Sequence, residues 1–214
     1  MDGHGKILKK KSVCIRENPW PAFPRIGYHT AMQPTVAAVT PQLRVLFTRD
    51  QIARRVSEMA DEITLDFAGR SIIFVGVLKG ASIFLGDLAR QVKLDATFDF
   101  ISVASYGAGT KTSGEVRMNK DVDSSMANKN VIIVEDILDT GLTMGYLRKL
   151  FLAHQPNALK VAVLLDKACR RIEPVKADYV GFVIPDEFVV GYGMDYAERY
   201  RNLPDICVLP PELQ

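Results

Sequence analysis

Val131-Ile132-Ile133-Val134-Glu135-Asp136-Ile137-Leu138-Asp139-Thr140-Gly141-Leu142-Thr143 is the stretch on which the reading of this chain turns. Its first four residues are an apolar, β-branched run, the pattern of a strand buried on both faces of a parallel sheet. It then turns acidic at Glu135, Asp136 and Asp139, and ends in small and hydroxylated residues before a helical pattern begins. A strand that runs out through carboxylates into a Gly/Thr turn at a helix N-terminus suits a phosphorylated sugar. The helix start offers free N–H groups and the positive end of a dipole to phosphate. The carboxylates can take ribose hydroxyls or a divalent metal, or act as a base.

Outward from that stretch, the same strand–turn–helix grammar recurs. Residues 71–78 are a buried apolar run followed by Lys79-Gly80-Ala81-Ser82 and a helix carrying Ile83, Phe84, Leu85 and Leu88. On its own such a turn simply connects; beside 131–143 it reads as a second phosphate contact. Residues 160–166 form another buried strand, ending in Asp166-Lys167, and 179–185 another. Upstream, Thr48 with Gln51 three residues on fits a capping box, and Ile52, Val56, Met59 and Ile63 recur at helical spacing over 48–66. Residues 98–106 alternate as a strand, 107–115 are a Gly/Ser/Thr-rich loop, and 206–209 are a last short strand. Strands alternating with helices predict an α/β domain, a mostly parallel twisted sheet flanked by helices. Ligands of such sheets sit beyond the carboxyl ends of the strands. Lys79, Asp136, Asp139 and Lys167 all fall at those ends, which points to one shared site.

The totals set bounds. A chain of 214 residues is long enough for one well-buried domain and short for two. Residues 1–31 hold six Lys/Arg against Asp2 and Glu17, a net +4, so of the +2 total the remainder carries −2. A slightly acidic body argues against a nucleic-acid-binding surface. Cys14, Cys169 and Cys207 are odd in number and far apart, which reads as reduced thiols of a cytoplasmic protein. No apolar run approaches the length of a membrane span. Residues 1–41 read as an irregular extension, punctuated by prolines. A disordered tail, an organelle transit segment and a start at Met32 are the readings open for it. Residues 42–214 form the domain.

Several segments together resemble the 6-oxopurine phosphoribosyltransferases, the hypoxanthine-guanine enzymes of purine salvage. Residues 134–143 look like the phosphoribosyl-pyrophosphate (PRPP) motif of that family. Val77-Leu78-Lys79-Gly80, Ser105-Tyr106-Gly107, Leu165-Asp166-Lys167, the segment 184–195 and Tyr200-Arg201-Asn202-Leu203 follow in the family's order. The resemblance implies a type I phosphoribosyltransferase fold with a small hood for the purine. The implied activity converts hypoxanthine and guanine plus PRPP to IMP and GMP plus pyrophosphate, with Mg²⁺. In it purine N9 attacks C1′, pyrophosphate leaves and the transition state is oxocarbenium-like. Glu135 and Asp136 are expected to hold the ribose hydroxyls, directly or through Mg²⁺, and Asp139 to act as general base at purine N7. The other reading of Asp139 is a helix N-cap. Thr140, Gly141, Leu142 and Thr143 are expected to wrap the 5′-phosphate, and Lys79, Gly80 and Arg201 to meet pyrophosphate. Lys167 would donate to purine O6, Phe188 would stack on the ring, Val189 would touch it through its backbone, and Asp195 would reach Mg²⁺ or the base edge. Ser105 and Tyr106 would close over the site as a lid. The peptide before Lys79 is often a non-proline cis bond in this family. A homodimer or homotetramer is the expected assembly. Leu142 departs from the family's pattern, where a Lys or another polar residue is common.

Two other classes compete with this reading. An aspartate-using phosphatase or receiver-like domain wants D-x-D-x-T or acids on separate loops, and Asp136-x-x-Asp139-Thr140 is one residue out of register. A regulator that kept the fold to sense a nucleotide would show a basic face or an added helix-turn-helix, and the acidic body offers neither.

Overall fold

The 131–134 run is the centre of the sheet. In the computed structural model, which describes residues 43–105 and 116–214, it lies in β5 (Asn130–Leu138) between two parallel neighbours. Those neighbours are β2 (Ile72–Leu78) and β6 (Ala158–Asp166). With β3 (Ala96–Ser105), β4 (Val116–Lys120) and β7 (Tyr179–Val183) they form a six-stranded sheet in the order β4-β3-β2-β5-β6-β7. Only β4 runs antiparallel to its neighbour.

Both faces of the sheet are covered, which is why its middle strands read as continuous apolar runs. Ile132 and Val134 turn to a core shared with α1 (Arg49–Asp66) and α2 (Ala81–Gln91), through Ile52, Val56, Met59, Phe84 and Leu88. Val131 and Ile133 turn to the other face, against Met144, Leu147 and Phe151 of α3 (Leu142–Ala153). The capping box starts α1 as the sequence predicts: Thr48 Oγ1 accepts the Gln51 N–H at 3.3 Å, and Gln51 Oε1 accepts the Thr48 N–H at 2.9 Å.

A second, three-stranded antiparallel sheet has the order β1-β9-β8, from Arg44–Phe47, Ile206–Val208 and Val189–Val190. It stacks Phe47 on Phe182 at 4.0 Å, and Val189 and Ile206 join the α1/α2 core. This is the hood. Two details differ from the sequence reading. β1 is a strand that residues 42–47 did not announce. β5 also continues through its carboxylates to Leu138, because Glu135, Ile137 and Leu138 still pair with Val163, Leu165 and Asp166. The expected extension over 1–41, Met32, Tyr106 and the 107–115 loop lie outside the described residues, as does the side chain of Ser105. Among the described residues no helix is long and apolar enough to cross a membrane.

Candidate active site

The carboxyl ends of β2, β5 and β6, three adjacent parallel strands, deliver Lys79, the 135–139 acids and Lys167 to one edge. Beyond β5 the chain turns through Thr140 and Gly141 into α3. Gly141 takes φ +83° at the helix N-cap, and an added Cβ there would sit 2.7 Å from the Glu173 carbonyl oxygen. Only glycine satisfies both demands. A cavity of about 210 Å³ opens on this turn, lined by Glu135, Leu138, Asp139, Thr140, Gly141 and Thr143. Leu142, the departure from the family pattern, is the first residue of α3 and is half-buried.

Asp139 does not cap the helix. The cap position belongs to Gly141 and carries no side-chain hydrogen bond. Asp139 Oδ1 is buried without a partner, while Oδ2 lies 3.6 Å from the Arg170 guanidinium. Glu135 Oε2 is likewise buried and unpartnered. Burial, and next the neighbouring Asp136 carboxylate, push the Glu135 carboxyl well above the usual carboxylate range. Burial also raises Asp136, against the Ile137 N–H that it accepts at 2.8 Å. These acids suit ribose hydroxyls, or a cation that completes its shell with ligand oxygens, as Mg²⁺ does with substrate phosphates. Among the described residues no group of three or more His, Cys, Asp or Glu is arranged to hold a metal by itself.

Lys79 follows a cis Leu78–Lys79 peptide bond. Gly80 next to it has no room for a side chain, since a Cβ would fall 1.7 Å from Asp136 Oδ2. Lys79 Nζ meets Glu198 Oε2 at 2.9 Å. Arg201 meets Asp195 Oδ1 at 2.8 Å and Glu198 Oε1 at 3.6 Å. The hydrogen bond from Lys79 holds the Glu198 carboxyl below the ordinary range. Glu198 thus bridges both cations for which the family resemblance implies a pyrophosphate role. The residue gave no signal of its own in the sequence. Asp195 is engaged twice, by Arg201 and by the Glu198 N–H at 2.8 Å, and is not gathered into one group with Glu135 and Asp136.

The hood closes the other side. Lys167 is 4% exposed, and its ammonium lies 3.6 Å from Asp186. Phe188 is 40% exposed and meets Tyr196 edge-on at 5.7 Å. Val189 is buried and pairs with Val208 across β8 and β9. Arg199 is exposed beside the Tyr200 ring, as a surface charge. Gly193, at φ +104°, lies so close that a Cβ would sit 2.1 Å from the Gly80 carbonyl oxygen. Arg170, between Asp139 and Asp186, is the second residue that the sequence reading missed.

Residues 46–197 match the family described as the phosphoribosyl transferase domain. The hypoxanthine-guanine phosphoribosyltransferase of Bacillus subtilis is 46% identical over 168 residues, 78% of this chain and 93% of that protein. This chain belongs to the hypoxanthine-guanine phosphoribosyltransferase family. A crystal structure of a member from Bacillus anthracis superposes with a TM-score of 0.76 at 49% identity, covering 79% of this chain and all of that one. The bifunctional protein TilS/HprT of Listeria monocytogenes is 46% identical over 170 residues, of which the chain spans 26% of the length. Family membership accounts for the type I fold of sheet, helices and hood.

Proposed function

We propose that the chain transfers a phosphoribosyl group from PRPP to N9 of hypoxanthine or guanine, giving IMP or GMP and pyrophosphate. The observation that carries this reading is the meeting of three chemistries at one sheet edge: the half-buried acids of β5, the Thr140–Gly141 turn and the buried Lys167. Glu135 and Asp136 hold the ribose hydroxyls. Thr140, Gly141, Leu142 and Thr143 bind the 5′-phosphate through N–H groups and hydroxyls at a helix start. Asp139 takes the proton at purine N7 as N9 bonds to C1′. Lys167 donates to O6, so a 6-amino ring would set donor against donor. Phe188 and Val189 flank the base. Ser105 and Tyr106 are assigned to the lid. Mg²⁺, when bound, would be held by Glu135 and Asp136 or by Asp195, and would neutralise charge on the departing pyrophosphate. A cytoplasmic location and a homodimer or homotetramer belong to the same proposal. They are supported by the dispersed thiols and by an apolar cavity of about 450 Å³ beside the exposed Phe98 and Ile83.

A pyrophosphate-release assay with PRPP, Mg²⁺ and a panel of hypoxanthine, guanine, xanthine and adenine tests the reading. Turnover is expected with hypoxanthine and guanine, and kcat/KM with adenine lower by on the order of 10²-fold or more. No release with any base of the panel would overturn it.

Glu198 supplies a separate check on the pyrophosphate end. Its carboxylate competes with the diphosphate for Lys79 and Arg201 through an exposed ion pair, a contact of modest strength. Glu198→Gln is expected to tighten inorganic pyrophosphate binding about 2- to 5-fold in titration calorimetry. Weaker binding would remove Glu198 from the role of competitor.

A further inference from the structure

Three successive carbonyls of the turn leaving β5 are held by one short segment on the far side of the chain. Leu138 O accepts from Arg171 Nη2 at 3.0 Å, and Asp139 O accepts from Arg171 Nε at 2.9 Å. Thr140 O accepts the N–H groups of Ile172 at 2.8 Å and Glu173 at 3.1 Å. The rest of the Arg171 guanidinium is engaged by the Val175 carbonyl and the Asp166 carboxylate. The same segment packs on α3, where a Cβ on Gly145 would meet Glu173 Cγ at 2.8 Å.

A trans peptide carries its N–H opposite its C=O. A carbonyl tied toward Arg171 therefore aims the N–H of the next residue away from it. Pinning Asp139 O and Thr140 O in this way turns the N–H groups of Thr140 and Gly141 to the opposite side, and both residues line the cavity. Neither N–H finds an acceptor among the described residues. Backbone donors held in place before an anion arrives bind it without reorganisation, the arrangement that makes fixed dipoles effective.

We propose that Arg171 is a positioning residue for phosphate recognition: it fixes the peptide planes of the 139–141 turn so that the Thr140 and Gly141 N–H groups converge on the 5′-phosphate. The inference rests on the reading of residues 139–143 as the phosphate cradle. Arg171 does not touch the ligand. Its planar fork spans three carbonyls and a carboxylate together, which a lysine ammonium, a compact point charge, does not reproduce.

The test compares the affinities of GMP and guanosine, whose ratio isolates what the 5′-phosphate contributes. For the unaltered chain, titration calorimetry is expected to give GMP binding at least about 100-fold tighter, the effect of several charge-assisted hydrogen bonds. In Arg171→Met the ratio is expected to fall about 10-fold with guanosine affinity little changed. A general loss of packing would weaken both ligands alike. Because Arg171→Met removes a buried charge opposite Asp166, two further variants separate the ion pair from the carbonyl bonds. Arg171→Lys keeps the charge and is expected to lower the ratio. Asp166→Asn keeps the carbonyl bonds and is expected to leave it unchanged. An unchanged ratio in Arg171→Lys, or a fall in Asp166→Asn as large as that in Arg171→Lys, overturns the positioning role. A ratio near one in the unaltered chain would instead overturn the phosphate-cradle reading, and the proposal with it.

Discussion

Asp139→Asn is expected to lower kcat by about 10²- to 10⁴-fold, the usual cost of removing a general base, while the melting temperature stays close to that of the parent. The separation is possible because Asp139 carries no structural duty. It caps no helix, and its Oδ1 is buried without a partner. Asparagine has nearly the same shape and can still face Arg170, so the turn and its carbonyl bonds to Arg171 survive. What it lacks is an oxygen that can accept the N7 proton as the purine bonds to the sugar. The KM for PRPP is expected to move far less than kcat, since the proposed phosphate and ribose contacts lie on neighbouring residues. Steady-state kinetics beside a thermal melt check both halves. Parent-like turnover in a folded Asp139→Asn chain would show that the base lies elsewhere.

The second large effect concerns pH and the Glu135–Asp136 pair. Burial, followed by the adjacent Asp136 charge, raises the Glu135 carboxyl well above its value in an unfolded chain. The native state therefore keeps a proton that the unfolded state has already released at the same pH. By linkage, the contribution of this group to stability is fully present below the unfolded pKa, near 4.3 for Glu, and is lost as pH rises through the folded one. Each pH unit between the two values removes about 1.4 kcal/mol. Glu135→Gln deletes the ionisation and keeps the shape. Urea unfolding from pH 5 to pH 8 is expected to show the parent losing stability relative to this variant, with the gap widening toward the alkaline side. In the role proposed for Glu135 ligand binding runs the other way, because a proton on its carboxyl would compete with ribose hydroxyls and with a cation. PRPP affinity of the parent should improve over the same range, and Glu135→Gln should lose most of that gain. Parallel stability curves for the two proteins would mean that Glu135 is ionised at neutral pH despite its burial.

The core of the site was legible because its signals are local. A β-branched run, an acidic cluster and a Thr-Gly turn lie within thirteen consecutive residues, and together they mark the carboxyl end of a parallel strand. The capping box at Thr48 was readable for the same reason. The parts that escaped depend on partners far along the chain. β1 is four residues long and becomes a strand only by pairing with β9, more than a hundred and fifty positions away. Glu198 faces Lys79 because Ala197, Glu198 and Tyr200 adopt positive φ, which no glycine in that segment announces. Arg171 looks like one basic residue in a polar connector until its hydrogen bonds to the 138 and 139 carbonyls are seen. The carboxylates were read as the end of a strand. The ladder carries them inside it, because β6 matches β5 to its last residue.

Gly80 and Gly193 meet backbone to backbone, with no side chain between the segment proposed to meet pyrophosphate and the segment proposed to roof the base. Such a joint has no give. A hood that tilts to admit a bulkier or differently substituted ring must lift off Gly80, and it takes Arg201 along, because Arg201 and Gly193 exchange hydrogen bonds at 3.0 and 2.8 Å. On the proposed reading, base selection and leaving-group grip are thus coupled through this contact and cannot be tuned one at a time by reshaping the hood. On that reading, new base preferences are open to this scaffold only through the side chains proposed to line the ring, such as Phe188 and Lys167, with the two glycines left in place.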